Sequence, residues 1–140
     1  MEYKISEKYI SEKNIVRNIE KIMEDVKKVL QIDEEEYFKI FLSTVEAINN
    51  AAEHGNKFNE NKYVYFDLYG NEDYIEITIK DEGDGYLPDV EASFAKIECD
   101  ANLCDCRGRG IFLIHSMMDE VSYNCENGTL IKMRYNFRKN

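Results

Sequence analysis

The chain has 140 residues, a formal net charge of −10, and 44% hydrophobic and 12% aromatic residues. That apolar content excludes a disordered segment and suffices for one domain with its own core. The acidity argues against nucleic-acid binding, which needs a basic footprint, and no apolar run reaches membrane-spanning length. The N-terminus, Met1 to Glu7, lacks the basic-then-apolar layout of an export signal, so a cytoplasmic protein is expected. In that setting Cys99, Cys104, Cys106 and Cys125 are expected as thiols. Their spacing is not the paired pattern of structural zinc sites, and oxidation in an exposed loop is the simpler expectation.

A first strand is expected over about 2–10, carried by Tyr3, Ile5, Tyr9 and Ile10. Ser11 or Asn14 would cap a helix running to about Leu30. Its buried stripe would be Ile15, Ile19, Ile22, Val26, Val29 and Leu30. Asp33 to Glu36 starts a second helix with acid at its positive end. There Phe38, Phe41, Leu42, Val45, Ile48 and Ala52 recur as an apolar stripe. Lys39, Ser43, Glu46, Asn50 and Glu53 form a polar stripe beside it, and Gly55 would end the helix in the left-handed conformation.

Tyr63 to Tyr69 reads as a strand with Val64, Phe66 and Leu68 on one face, followed by a hairpin turn at Gly70 to Asp73. Tyr74 to Lys80 alternates most clearly, with Ile75, Ile77 and Ile79 inward. Asp81 continues that alternation onto the apolar face. An acid placed there is costly without a partner, which makes it a candidate ligand contact. Residues 86–107 lack periodicity, contain Pro88, and read as a mobile lid with a short helix near 90–97. Gly108-Arg109-Gly110 would open a helix over Ile111 to Met118, with His115 on its apolar side. A strand at Val121 to Cys125, a turn at 126–128 and a last strand at Thr129 to Phe137 complete the chain. Thr129 shares the parity of Ile131, Met133, Tyr135 and Phe137, so its hydroxyl should aim inward. Hairpin-linked strands with helices on one face give an α+β, two-layer sandwich with a mixed, mostly antiparallel sheet, as a single domain over 1–140.

Glu46 and Asn50 are four residues apart and so are neighbours on one helix face. A carboxamide can give its oxygen to a hard cation such as Mg²⁺, and a carboxylate can polarise a nucleophile. Taken alone, the pair reads first as a solvated helix face. The glycines change that weighting: six of the seven, all but Gly70, sit at the junctions of these motifs.

Together the motifs resemble the nucleotide-binding fold shared by histidine kinases, gyrase B, Hsp90 and MutL. They are Glu46-x-x-x-Asn50-Ala-x-x-His54-Gly55, Asp81-x-Gly83-x-Gly85, Gly108-x-Gly110 and Gly128-Thr129. Within that superfamily the chain is similar to stand-alone bacterial anti-sigma factor serine/threonine kinases, in its length, in its first box and in Met117 to Val121. The resemblance implies ATP and Mg²⁺ as cofactors. It implies that Asp81, supported by Thr129, accepts from the adenine amine, while Gly83 and Gly85 shape the pocket. Asn50 would hold the metal, Gly108 and Gly110 would present amides to phosphates, and Glu46 would be the catalytic base. Relatives often place a lid arginine on the terminal phosphate, a part open here to Arg107 or Arg109; Lys57 is another phosphate-side candidate and equally an exposed loop lysine. His54 is expected to pack at the helix end. The implied partners are a sigma factor and its anti-anti-sigma antagonist, which the kinase phosphorylates, and a homodimer is expected from the same resemblance. A non-catalytic, ATP-dependent partner-binding module is the alternative, and an intact Glu46 weighs against it. A histidine-kinase fragment would need a phosphoacceptor helix, and both histidines lie inside the nucleotide domain.

Overall fold

The computed structural model describes residues 1–83, 106–125 and 127–138. Strand β1 is Tyr3–Ile10, helix α1 is Ile15–Leu30 and helix α2 is Glu34–Asn49, which continues into a π-helical turn at Asn50–Gly55. Then come β2 (Tyr63–Gly70), β3 (Tyr74–Lys80), α3 (Cys106–Met117), β4 (Glu120–Asn124) and β5 (Leu130–Asn136). The expected lid up to residue 105, with its short helix, lies outside the described residues.

The strands form one sheet in the order β1-β2-β3-β5-β4. Every pairing is antiparallel, including β3 with β5, so the mixed sheet that was expected does not occur among the described residues. The reason is the crossover through α3. It delivers β4 to the edge, and the β4–β5 hairpin returns β5 beside β3, running opposite to both. Two-residue alternation then sets the core. Val64, Phe66, Leu68, Ile75, Ile77, Ile79, Met133 and Tyr135 are buried under the helices. Helix α2 packs against α1, α3 and β3. No helix among the described residues is long and apolar enough to cross a membrane.

Helix α2 starts as its acids predict. The Asp33 side chain accepts the Glu36 N–H at 2.9 Å, and Glu34, Glu35 and Glu36 occupy the first turn. Ile48 and Ala52 are buried as expected, but the rest of its buried face is turned from the expected one. Ile40, Ser43, Thr44, Ala47 and Ile48 are buried, whereas Phe38 is 59% exposed. Small residues face inward because α2 is sandwiched between the sheet and two helices, where bulk would hold the layers apart. Helix α1 buries Ile15, Ile19, Met23 and Val26; Met23 joins the expected stripe, and Ile22 and Leu30 are half-buried against the core. Asn14 does occupy its N-cap position but makes no side-chain cap bond. Ser11 is no cap either: it is buried and donates to the Ala52 carbonyl at 3.3 Å.

Helix α3 begins two residues before Gly108, so the two glycines lie within its first turns instead of preceding it. Gly108 N–H is among the first four amides, which have no partner within the helix, while that of Gly110 falls inside the hydrogen-bonded ladder.

The α2 register makes a clear prediction. Ile40→Ala should cost about 2–5 kcal/mol in chemical denaturation, whereas Phe38→Ala should stay within about 0.5 kcal/mol of the parent. Equal losses would restore the face expected from sequence.

Candidate functional site

The site is assembled around Asp81, the first residue beyond β3. Strand alternation drives its side chain inward, and it is only 4% exposed. Its N–H donates to the Thr129 carbonyl at 2.9 Å. Its Oδ1 accepts two backbone N–H groups, from Gly83 at 2.9 Å and Thr129 at 3.0 Å. Those two donors satisfy one carboxylate oxygen of an otherwise costly buried acid. Oδ2 is left against Gly55, at the wall of a cleft that both residues line.

Three motif glycines make room for this carboxylate. A Cβ on Gly55 would lie 2.1 Å from Asp81 Oδ2, and one on Gly83 would lie 2.2 Å from the Gly55 carbonyl oxygen. Gly128 has φ +109° and would place a Cβ 2.1 Å from the Asp81 carbonyl oxygen. Gly55 therefore has a different reason from the one expected. It is not left-handed; the chain reverses instead through Lys57 (φ 52°) and Phe58 (φ 53°).

The π-helical turn supplies the other wall. In an α-helix Gly55 would sit about 140° round the axis from Asn50. The wider turn swings it back toward the side of Asn50, as such turns often do at functional sites. Asn50, Ala51, His54 and Gly55 consequently all line the cleft, together with Ala47 of α2. The cleft encloses about 510 Å³ including its open mouth. Ile111 and Ile114 of α3 close it on one side, and Ile79, Tyr123, Thr129 and Ile131 form its floor.

Asn50, Asp81, Thr129, Gly55 and His54 thus meet at one cavity. His54, expected only to pack, is part of its lining. Glu46 stands one turn before Asn50, half-buried, outside the lining itself. Burial pushes its carboxyl above the ordinary carboxylate range. Gly85 lies outside the described residues, and Arg107 and Arg109 are placed only as positions on the first turns of α3. Lys57 is exposed. His115 is half-buried, with Nε2 3.0 Å from the Tyr123 hydroxyl, and burial lowers its pKa. The residue missed entirely is Asn56, which is 1% exposed. A single asparagine after a helix-ending glycine reads as loop polarity, and no periodicity marks it.

The His115 shift has a definite sign. A histidine held neutral in the folded state binds its proton later than in the unfolded chain, so acid favours unfolding. Its contribution is full above the ordinary histidine value of about 6.5 and is lost as pH falls below it. Urea midpoints of wild type should drop between about pH 7 and pH 5 more steeply than those of His115→Gln. Parallel curves would refute the assignment.

Comparison with known proteins bears on this geometry. The histidine kinase-like ATPase domain family matches residues 11–135. The serine-protein kinases RsbW of Staphylococcus aureus strains JH9 and Newman are each 39% identical over 76% of this chain and 69% of their own length. A chain in the crystal structure of the SiaB–SiaC complex from Pseudomonas aeruginosa has the same fold, with a TM-score of 0.66 at 14% identity. That match covers 95% of this chain and 88% of the other. With its buried aspartate, its glycine-lined cleft and a family match across most of its length, this chain belongs to the histidine kinase-like ATPase domain family.

Proposed function

We propose that this protein is an ATP-dependent serine/threonine kinase acting as an anti-sigma factor, which binds a sigma factor and phosphorylates that factor's anti-anti-sigma antagonist. One observation carries the reading: a buried carboxylate with one oxygen saturated by backbone and the other at the wall of a cleft that Asn50 also lines. The likeness to serine-protein kinases supports it. In this reading 1–140 is one ATP-binding domain with residues 86–107 as its lid. It is cytoplasmic, forms homodimers, and contacts neither membrane nor nucleic acid directly.

The donor set fits the ligand. Asp81 Oδ2 is purely an acceptor and suits the adenine amine, a donor, with Thr129 beside it. Gly83, packed against Gly55, keeps that end of the pocket free of a side chain, and Gly85 is assigned the same part by its motif position. Asn50 offers a carboxamide oxygen to Mg²⁺, which takes few protein ligands. Gly108 presents an amide with no partner within α3 at the helix start, where the helix dipole favours phosphate, and Gly110 leaves the next turn bare. Arg107 or Arg109 would meet the terminal phosphate. Mg-ATP supplies the phosphoryl group and its charge neutralisation, so the protein's task is largely positioning. Glu46 takes the proton from the partner's serine hydroxyl. Its raised pKa makes it a better base than a fully solvated carboxylate.

Calorimetry with Mg-ATP, followed by phosphorylation of a candidate antagonist, tests both halves. In Asp81→Asn the amide oxygen must face the two backbone donors, which turns the NH₂ toward the cleft. Donor then meets donor, and ATP affinity should fall about 100-fold or more. Glu46→Gln should keep ATP affinity while phosphoryl transfer falls about 10²- to 10⁴-fold. Wild-type activity should decline on the acid side at a pH above the ordinary glutamate value, because the base must be ionised. ATP binding without transfer to any antagonist would leave the non-catalytic binding module. No ATP binding would refute the nucleotide site.

A further inference from the structure

We infer that Asn56 is a positioning residue for nucleotide recognition, holding the Asp81–Gly83 turn in register with the helix that carries Asn50 and Glu46. The inference rests on the reading of the cleft as an ATP site. Asn56 is 1% exposed and follows the π-helical turn directly. Its own N–H donates to the Ala51 carbonyl at 2.8 Å, which closes the end of that turn. Its side chain spends both functions on backbone. Oδ1 accepts the Glu82 N–H at 2.7 Å, and Nδ2 donates to the Tyr63 carbonyl at 2.9 Å. One carboxamide therefore joins the end of the catalytic helix, the start of β2 and the residue immediately after Asp81.

The position of Glu82 explains why this matters. Asp81 and Gly83 are fastened to one another through Oδ1 and the Gly83 N–H. Gly83 in turn lies against Gly55, where a Cβ would be 2.2 Å from the carbonyl oxygen. These contacts set how close turn and helix approach, but van der Waals contact between two glycines leaves sliding unopposed. The Asn56–Glu82 bond is directional and fixes the offset. It determines where Asp81 Oδ2 stands relative to Asn50, and hence how far apart the base-reading and metal-binding ends of the cleft are held. Tyr65 restrains Glu82 only through the side chain, with its hydroxyl 2.6 Å from Oε1. An asparagine suits this post because it alone among short side chains offers an acceptor and a donor in one rigid plane.

The test compares ATP with inosine triphosphate, which carries a carbonyl in place of the adenine amine. Wild type should prefer ATP. Asn56→Ala should bring the two affinities together, shrinking the ATP preference about tenfold or more, because Asp81 loses its aim. Asn56→Asp keeps the acceptor for Glu82 and, assayed at a pH low enough to protonate the new carboxyl, restores a donor to the Tyr63 carbonyl; it should then retain most of the preference. A residue that only stabilised the fold would lower the melting temperature and leave the preference intact, and that result would overturn the inference. Lack of any wild-type preference for ATP would instead sink the adenine-reading role of Asp81 on which the inference rests. Should Asn56→Ala fail to fold, hydrogen exchange of wild type without nucleotide decides. The Glu82 amide should exchange at least about tenfold more slowly than an open-chain amide, and open-chain exchange would overturn the inference.

Discussion

The burial of the Asp81 carboxylate is the constraint on which the remaining architecture turns. A carboxylate at 4% exposure is tolerated only if hydrogen bonds replace the water it has lost. The replacement comes from two backbone amides, on Gly83 and Thr129, which lie on either side of it in different parts of the chain. Backbone can approach that closely only where side chains are absent. Gly55, Gly83 and Gly128 each stand where a single added carbon would overlap Asp81 or its neighbours. Three sequence motifs that look independent are thus one packing requirement, seen from three directions.

The same requirement shapes the helix opposite. Glu46 and Asn50 sit on regular α-helix or at its end, one turn apart, and keep the spacing that makes them neighbours. Continued at that pitch, the helix would carry Gly55 away from Asp81. The π-helical turn absorbs the mismatch, and the chain then reverses through two consecutive left-handed residues that are not glycines. Such backbone is costly and persists only where its surroundings fix it. Here the fixing bonds are visible: Asn56 N–H to Ala51, Phe58 N–H to Ala52, and the Asn56 side chain to Tyr63 and Glu82. Ser11, buried and bonded to the Ala52 carbonyl, ties the same turn to the end of β1. Local strain at this corner is balanced by satisfied polar groups, in keeping with a rigid platform beneath a cleft.

Burial shifts the two ionisable groups near the cleft in opposite directions. Glu46 loses hydration without gaining a charged partner, so its carboxyl is raised. His115 is pushed the other way and stays neutral against Tyr123. The distinction follows from the sign of each group's charged form, since desolvation disfavours ionisation in both.

Much of this was legible in the sequence. Period-two alternation located β2, β3 and β5 and turned Asp81 inward, because the strand period is fixed by backbone geometry alone. Motif spacing identified the α+β ATPase-type fold and singled out Asn50, His54, Gly55, Asp81 and Thr129, which meet at the cleft. Three things depended on contacts between distant segments and left no periodic trace. One was the face of α2, where small residues were buried and Phe38 exposed by the layers on either side. Another was the reason for Gly55, which is an atom of Asp81 instead of a helix end. The third was Asn56, whose role exists only because β2 and the turn after β3 come within reach of its two polar atoms. The sequence by itself determined which residues form each element and which way strand side chains point. Tertiary structure decided how closely those elements approach and which polar atoms meet, because these depend on packing between segments that the local chain does not encode.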